Sequence, residues 1–168
     1  MGLGNPGDKY RKTRHNVGFL VVEHIADHCE LISSWELKHT MMFARVKIKE
    51  QVILLVKPQT FMNDSGWVVS FLKKQGIVLS RDGLVVHDEL ELPFGSLKIR
   101  LGGSARGHNG LKSIIAMSDS SFRRLRFGIG RPLLKEAVSQ YVLEQFNQEE
   151  LGSLPELLNQ ALAMIEEL

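Results

Sequence analysis

The run Val52-Ile53-Leu54-Leu55-Val56 is the tightest constraint on how this chain folds. A strand with no polar residue on either side of its pleat calls for cover on both faces, the condition of a parallel or mixed sheet held between helices. Pro58 stops it. A strand over Met42 to Lys49 precedes it across Lys49-Glu50, and further strands are expected at Leu84 to His87, Leu97 to Leu101 and Arg124 to Ile129. Between them, apolar residues recur at helical spacing. Val17 to Cys29 places Val17, Leu20, Val21 and Ile25 on one face, and Asn109 to Met117 does the same with Leu111, Ile114 and Ile115. Asn63 or Asp64 can cap a helix running to Gly76. A short helix is expected near Glu136 to Phe146, then a longer one capped by Ser153 with Pro155 near its start. Strands interleaved with helices, without a long linker or a repeat, indicate one α/β domain over residues 1–168 with a mixed, mostly parallel sheet flanked by helices.

At 168 residues and 43% hydrophobic content the chain can bury a real core, which excludes a disordered protein. Its one cysteine, Cys29, cannot close an intrachain disulfide and sits on the apolar side of a helix. A reducing compartment is therefore expected, the cytoplasm or, in a eukaryote, an organelle. No stretch reaches the roughly 18 apolar residues of a membrane helix. Met1 to Leu3 offers only a stub of a first strand where several apolar residues are expected before Gly2, which leaves a native and a truncated start both open. The net charge of +2 hides an asymmetry. Lys98 to Arg131 holds eight cations, six of them arginines, against Asp119 alone, whereas Glu144 to the end holds six glutamates and no cation. Arginine forks suit phosphates, so this basic segment, Lys98 and Arg106 included, is a candidate surface for a nucleic-acid backbone. A solvated face is the plainer alternative.

Three glycine-punctuated stretches carry the chemistry: Gly2 to Phe19, Lys57 to Gly66, and Val86 to Ser113. Each sets His, Asn or Asp beside turn residues at the end of an apolar run, as in a site built from loops on a rigid scaffold. His15, at a loop-to-helix junction, suits a general base near neutral pH. Asp88, at a strand end, can orient an imidazole from another loop; pairing with His108, or a purely structural cap, is equally open at this point. Asn5, Asn63 and Asn109 each both donate and accept, so they can bind a carbonyl or a ribose hydroxyl, hold a water, or simply close an Asx turn. No metal is expected, because the six histidines are dispersed and neither HExxH nor a Cys/His cluster occurs. The segment GLGNPG is not a dinucleotide fingerprint, since it lacks the GxGxxG register and Pro6 stands where the phosphate-binding helix would begin. No GxSxG elbow is present.

The segments GLGNPGDKYRKTRHNVGF, KPQTFMNDSG, VHDELELPFGSLKIR, GHNGLKS and FRRLRFGIGRP resemble, in order, those of the bacterial-type peptidyl-tRNA hydrolase family, and the resemblance runs from Gly2 to about Phe146. It implies a single α/β domain with a twisted mixed sheet, usually monomeric, with no metal or organic cofactor, acting on the acceptor stem and 3′ end of peptidyl-tRNA. Residue by residue, it implies His15 as the catalytic base and Asp88 as the carboxylate that orients it. Asn5 and Asn63 correspond to amides that bind the peptidyl part and position the histidine, which counts Asn63 with Asn109 among the catalytic residues. Tyr10 corresponds to a ring near the tRNA 3′ end, and Met62 to a cleft residue. His108 and Asn109 correspond to the other lip, with Asn109 helping to hold the water. Arg100 and Arg126 correspond to the grip on the 5′ phosphate. Arg106 departs from the pattern, standing where the family usually has glycine, either to grip RNA or to crowd the lid. Because the family also contains plastid proteins of intron splicing, a silent RNA-binding relative is the competing expectation.

Overall fold

The computed structural model describes residues 1–168. Strand β1 (Glu30–Lys38), β2 (Met41–Ile48) and β3 (Gln51–Pro58) form an antiparallel sheet in that order. In the second sheet, β4 (Leu84–Glu89), β6 (Arg123–Gly128) and β5 (Leu97–Leu101) lie side by side, β4 parallel to β6 and β5 antiparallel to it. Residues Met1–Leu3 join the two. Gly2 donates its N–H to the Val56 carbonyl at 2.9 Å, while Leu3 N and Met1 O bond across to Val86.

The expectation of a mostly parallel sheet is therefore wrong. β4–β6 is the one parallel ladder, and the sheets are mostly antiparallel. The physical reason is the turns. Two residues separate β1 from β2 and β2 from β3, and two residues can only reverse a strand. His39 and Lys49 take φ of 54° and 52° in these turns, the left-handed geometry that tight hairpins require. The run Val52–Val56 is accordingly covered on both faces only toward its end; Val52 is 60% exposed. The strand that does meet the two-faced condition is β4, buried from Val85 to Glu89. Val86 belongs to one apolar cluster and Val85 to another.

Helix α1 (Val17–His28) lays Val17, Val21 and Ile25 on one side of this sheet, against Leu125 and Phe127. On the other side, α4 (Asn109–Met117) contributes Leu111 and Ile114 to a cluster with Leu3, Met62 and Phe122. Helix α2 (Trp67–Lys74) and the single turn α3 (Leu79–Asp82) follow the hairpin sheet. The expected helix near Glu136 is shorter, α5 (Val138–Leu143). The last helix, α6 (Gln148–Glu166), begins earlier than Ser153. Asn147 caps it and Glu150 closes the reciprocal half of a capping box, so Pro155 lies inside the helix. Strand β1 had no sequence signal because its residues are mostly exposed and show no apolar alternation. No helix is long and apolar enough to cross a membrane.

Candidate active site

His15 sits in a single 3-10 turn, Arg14–Asn16, that feeds α1. Its Nδ1 lies 2.9 and 3.0 Å from the two oxygens of Asp88, the buried carboxylate near the end of β4. A nitrogen so placed carries the proton and donates it. Nε2 is then the nitrogen that keeps a lone pair. Burial of the ring works against its charged form, but the adjacent carboxylate outweighs this, and the His15 pKa is raised. Burial would likewise raise the Asp88 pKa, yet His15 and His108 together hold it well below the usual carboxylate range.

The pairing left open by the sequence resolves into both partners. His108 Nε2 donates to Asp88 Oδ1 at 2.9 Å, and its Nδ1 accepts from Leu111 N at the start of α4. Both nitrogens of His108 are thus committed, and its ring centre lies 4.9 Å from that of His15. His15, Asp88 and His108 bring three donor atoms within 4.8 Å of one another, close enough to surround an ion. Both facing nitrogens, however, lie at hydrogen-bond distance from the carboxylate, with the protons a metal would have to displace.

This constellation heads a cleft of about 770 Å³, lined also by Asn5, Met62, Asn63 and Asn109. Asn5 spends its side-chain oxygen on Met62 N at 2.8 Å, tying the first loop to the second and leaving its amide N–H groups. Asn16, which the sequence reading passed over, holds Asn5 from behind: its side chain accepts from Asn5 N and donates to Asn5 O, each at 2.9 Å. Asn16 stands at the N-cap of α1 without capping it, which marks an amide employed elsewhere. Asn63 and Asn109 are exposed at the rim. Met62 is buried beneath them, and a Cβ on Gly110 would strike its sulfur. Tyr10 does not line this cleft and lies in the turn Asp8–Tyr10 with the Lys9 ammonium over its ring.

The other wall is cationic. Register sets Arg100 opposite Arg124 and Lys98 opposite Arg126 on β5 and β6, so strand alternation turns all four to one face. Like charges placed directly opposite each other cost stability, which is the mark of a surface built for an anion. Arg100, Arg124, Arg126, Arg106, Arg131 and Lys135 line the cleft, whereas Lys98 lies beyond it. Arg126 is buried, and its Nε donates to Glu89 Oε2 at 2.8 Å. Arg124 has a different duty: it donates to the carbonyls of Ser104 and Gly103 and so fixes the glycine loop of residues 102–107. Arg106 in that loop has φ 44°, a geometry glycine takes at no cost. His87, unassigned from sequence, is 2% exposed beside His108 with its Nε2 unpartnered. Complete burial, aided by His108, pushes its pKa down to about 3. The i, i+2 spacing of Lys98 with Arg100 and of Arg124 with Arg126 signals that each pair shares a face, but their register across the strands had no local signal. The Glu89 and Asn16 contacts had no local signal.

These features describe a class: an α/β protein with an imidazole–carboxylate pair at the head of a cation-walled cleft. Residues 1–168 match the family model described as peptidyl-tRNA hydrolase. The chain is 39% identical over 168 residues to the peptidyl-tRNA hydrolase of Aliarcobacter butzleri, spanning 100% of this chain and 90% of that one. It is 43% identical to that of Hydrogenobaculum sp., over 96% and 85% of the two chains. The crystal structure of the Acinetobacter baumannii peptidyl-tRNA hydrolase superposes with a TM-score of 0.86 at 38% identity, covering 99% of this chain and 83% of that one. The chain belongs to the peptidyl-tRNA hydrolase family.

Proposed function

We propose that residues 1–168 act as one domain that hydrolyses the ester joining a peptide to the 3′ ribose of tRNA, returning free tRNA. The observation that carries this reading is the free Nε2 of His15, made basic by Asp88 and facing a cleft with amides at one end and arginines at the other. A water between Nε2 and the ester carbonyl loses its proton to His15 as its oxygen attacks the carbon. The amide N–H groups of Asn63 and Asn109 are the donors available for the oxyanion, with Asn5 and Met62 shaping the seat of the peptide. Collapse of the tetrahedral intermediate expels the ribose oxygen, which takes the proton back from His15. Asp88 stays ionised throughout and His108 holds it from the other side. Arg100, Arg126 and Arg106 face the acceptor-stem phosphates, supplying affinity with little base readout. Family membership and the agreement of fold with solved relatives support the reading.

Single-turnover release of peptide from N-blocked aminoacyl-tRNA, measured at two salt concentrations, tests it. Turnover that falls about 10²- to 10⁴-fold in His15→Ala while tRNA binding persists is expected. Salt-sensitive binding with no turnover in either protein would instead make this a silent RNA-binding relative.

A further inference from the structure

The residue directly before His15 is Arg14, and it is 5% exposed. A guanidinium buried this deeply is tolerated only where its donors are met. Its Nη2 donates to Glu150 Oε2 at 2.8 Å, its Nε points at Glu150 Oε1 at 3.4 Å, and its Nη1 reaches the Tyr141 carbonyl at 3.4 Å. Glu144 lies 3.6 Å away, and the guanidinium plane rests 4.2 Å from the centre of the Tyr141 ring.

The backbone repeats the connection. Arg14 N donates to Glu144 O and Phe146 N to Lys12 O, with Thr13 and Gln145 forming a bridge between them. Glu150 is itself immobilised, because its Oε2 also accepts from Asn147 N in the capping box. Tyr141 is pinned through its hydroxyl to Ile129 O at 2.5 Å. Helix α5 supplies Val138, Ser139, Val142 and Leu143 to the cleft wall; α6 supplies nothing to it. If stability were all that was required, an apolar pair would serve as well as this ion pair. The fork and the stacked ring instead impose one orientation on the turn that carries His15.

We propose that Arg14, held by Glu150, is a positioning residue for the reaction: it sets the His15 turn between Asp88 and the α5 wall, giving the acidic C-terminal helix a part in catalysis it never touches. This rests on the hydrolase reading of the cleft. The charged and titratable groups around His15 are Asp88 and His87 from β4 and His108 before α4 on one side, and Arg14 with Glu144 and Glu150 beyond it on the other.

Two charge-conserving variants isolate geometry from field. Arg14→Lys keeps the charge without the fork, and Glu150→Asp draws the carboxylate back by one methylene. In each, the His15 imidazole is titrated by NMR, and kcat and KM are measured on N-blocked aminoacyl-tRNA beside the unaltered protein. The expected result is a folded protein whose His15 midpoint falls by about half a pH unit or more toward the ordinary histidine value. The kcat should drop between about 10- and 100-fold, with KM within about twofold. A wild-type midpoint and kcat in a folded variant would overturn the proposal, and Glu150→Asp decides should Arg14→Lys not fold. If the unaltered protein released no peptide, the hydrolase reading would fall, and the midpoint would still decide whether Arg14 positions His15.

Discussion

His15 sits in the turn before α1 and meets Asp88, the strand neighbour of His87, yet the protonation of the three is driven in different directions by their surroundings. The base must be neutral to act, so the rate rises with pH through the His15 pKa. Because that pKa is raised, the acid limb of kcat is expected above about 6.5. Asp88→Asn removes the charge that raises it, so the limb should move to lower pH while the plateau falls about 10²-fold or more, as read from single-turnover rates across pH. Linkage to stability follows the signs. The raised His15 pKa contributes stability that is complete below about 6.5 and lost as pH climbs through the folded value. The lowered Asp88 pKa contributes stability that is present above 3.8 and lost on acidification. His87 acts in the window between. Its folded pKa of about 3 lies below its unfolded value of 6.5, so the unfolded chain alone binds the proton there and stability falls as pH drops. Urea titrations at pH 6.5 and 4.5 should show a loss of stability that is smaller in His87→Phe by on the order of 2 kcal/mol, the remainder coming from groups such as the buried Met1 amine, whose pKa is lowered to about 5. An equal loss in both proteins would mean that His87 is not the source.

At the scale of elements, β5 and β6 turn a basic stretch of sequence into a directed surface. Composition shows eight cations between Lys98 and Arg131. The pairing of Arg100 with Arg124 and of Lys98 with Arg126 puts four of them on one face, where two then take separate duties. Arg124 holds the glycine loop, and Arg126 is steadied by Glu89 with only its Nε spent. Arg100 is the exposed member that lines the cleft. Arg100→Ala should weaken tRNA binding evenly across tRNA sequences and lower the slope of log Kd against log salt by about one. An unchanged slope would remove Arg100 from the phosphate contacts. The helices at the other end of the chain contribute differently: the capping box of Asn147 and Glu150 places a carboxylate where the turn before α1 needs a counter-ion.

The whole molecule depends on a close approach that only glycine permits. Leu3 passes so near α1 that a Cβ on Gly18 would overlap Leu3 N and O and the Val86 carbonyl, while Gly2 meets Gly18 O in the same way. These contacts let Met1–Leu3 lie between β3 and β4 and unite the two sheets. Gly18→Ala is expected to cost about 3 kcal/mol or more, because the obstructing atoms are backbone. Thermal melts should show it as a Tm lower by about 6–12 °C. A melt within about 2 °C of wild type would mean that the segment can yield.

Helices α1, α2 and α4, strands β2 to β6 and the three glycine-punctuated loops were readable from periodicity and turn residues, because each is specified by neighbours within a few positions; β1 was not. His15, Asp88 and the asparagines stood out as candidates through residue type alone. The direction of the strands was misjudged from Val52–Val56, although the two-residue link at Lys49-Glu50 already required a hairpin; a local turn outranks the apolar content of a strand in setting its direction. What no local pattern could supply was partnership at long range. Asp88 serves both His15, 73 residues away, and His108. Glu89 meets Arg126 across 37 residues, and Arg14 meets Glu150 across 136. Such pairs form because packing has already met the entropic cost of bringing distant segments together, and which charges then face each other depends on strand order and helix placement. The chain's chemistry was thus written in short segments, and its electrostatic wiring was decided only by the tertiary fold.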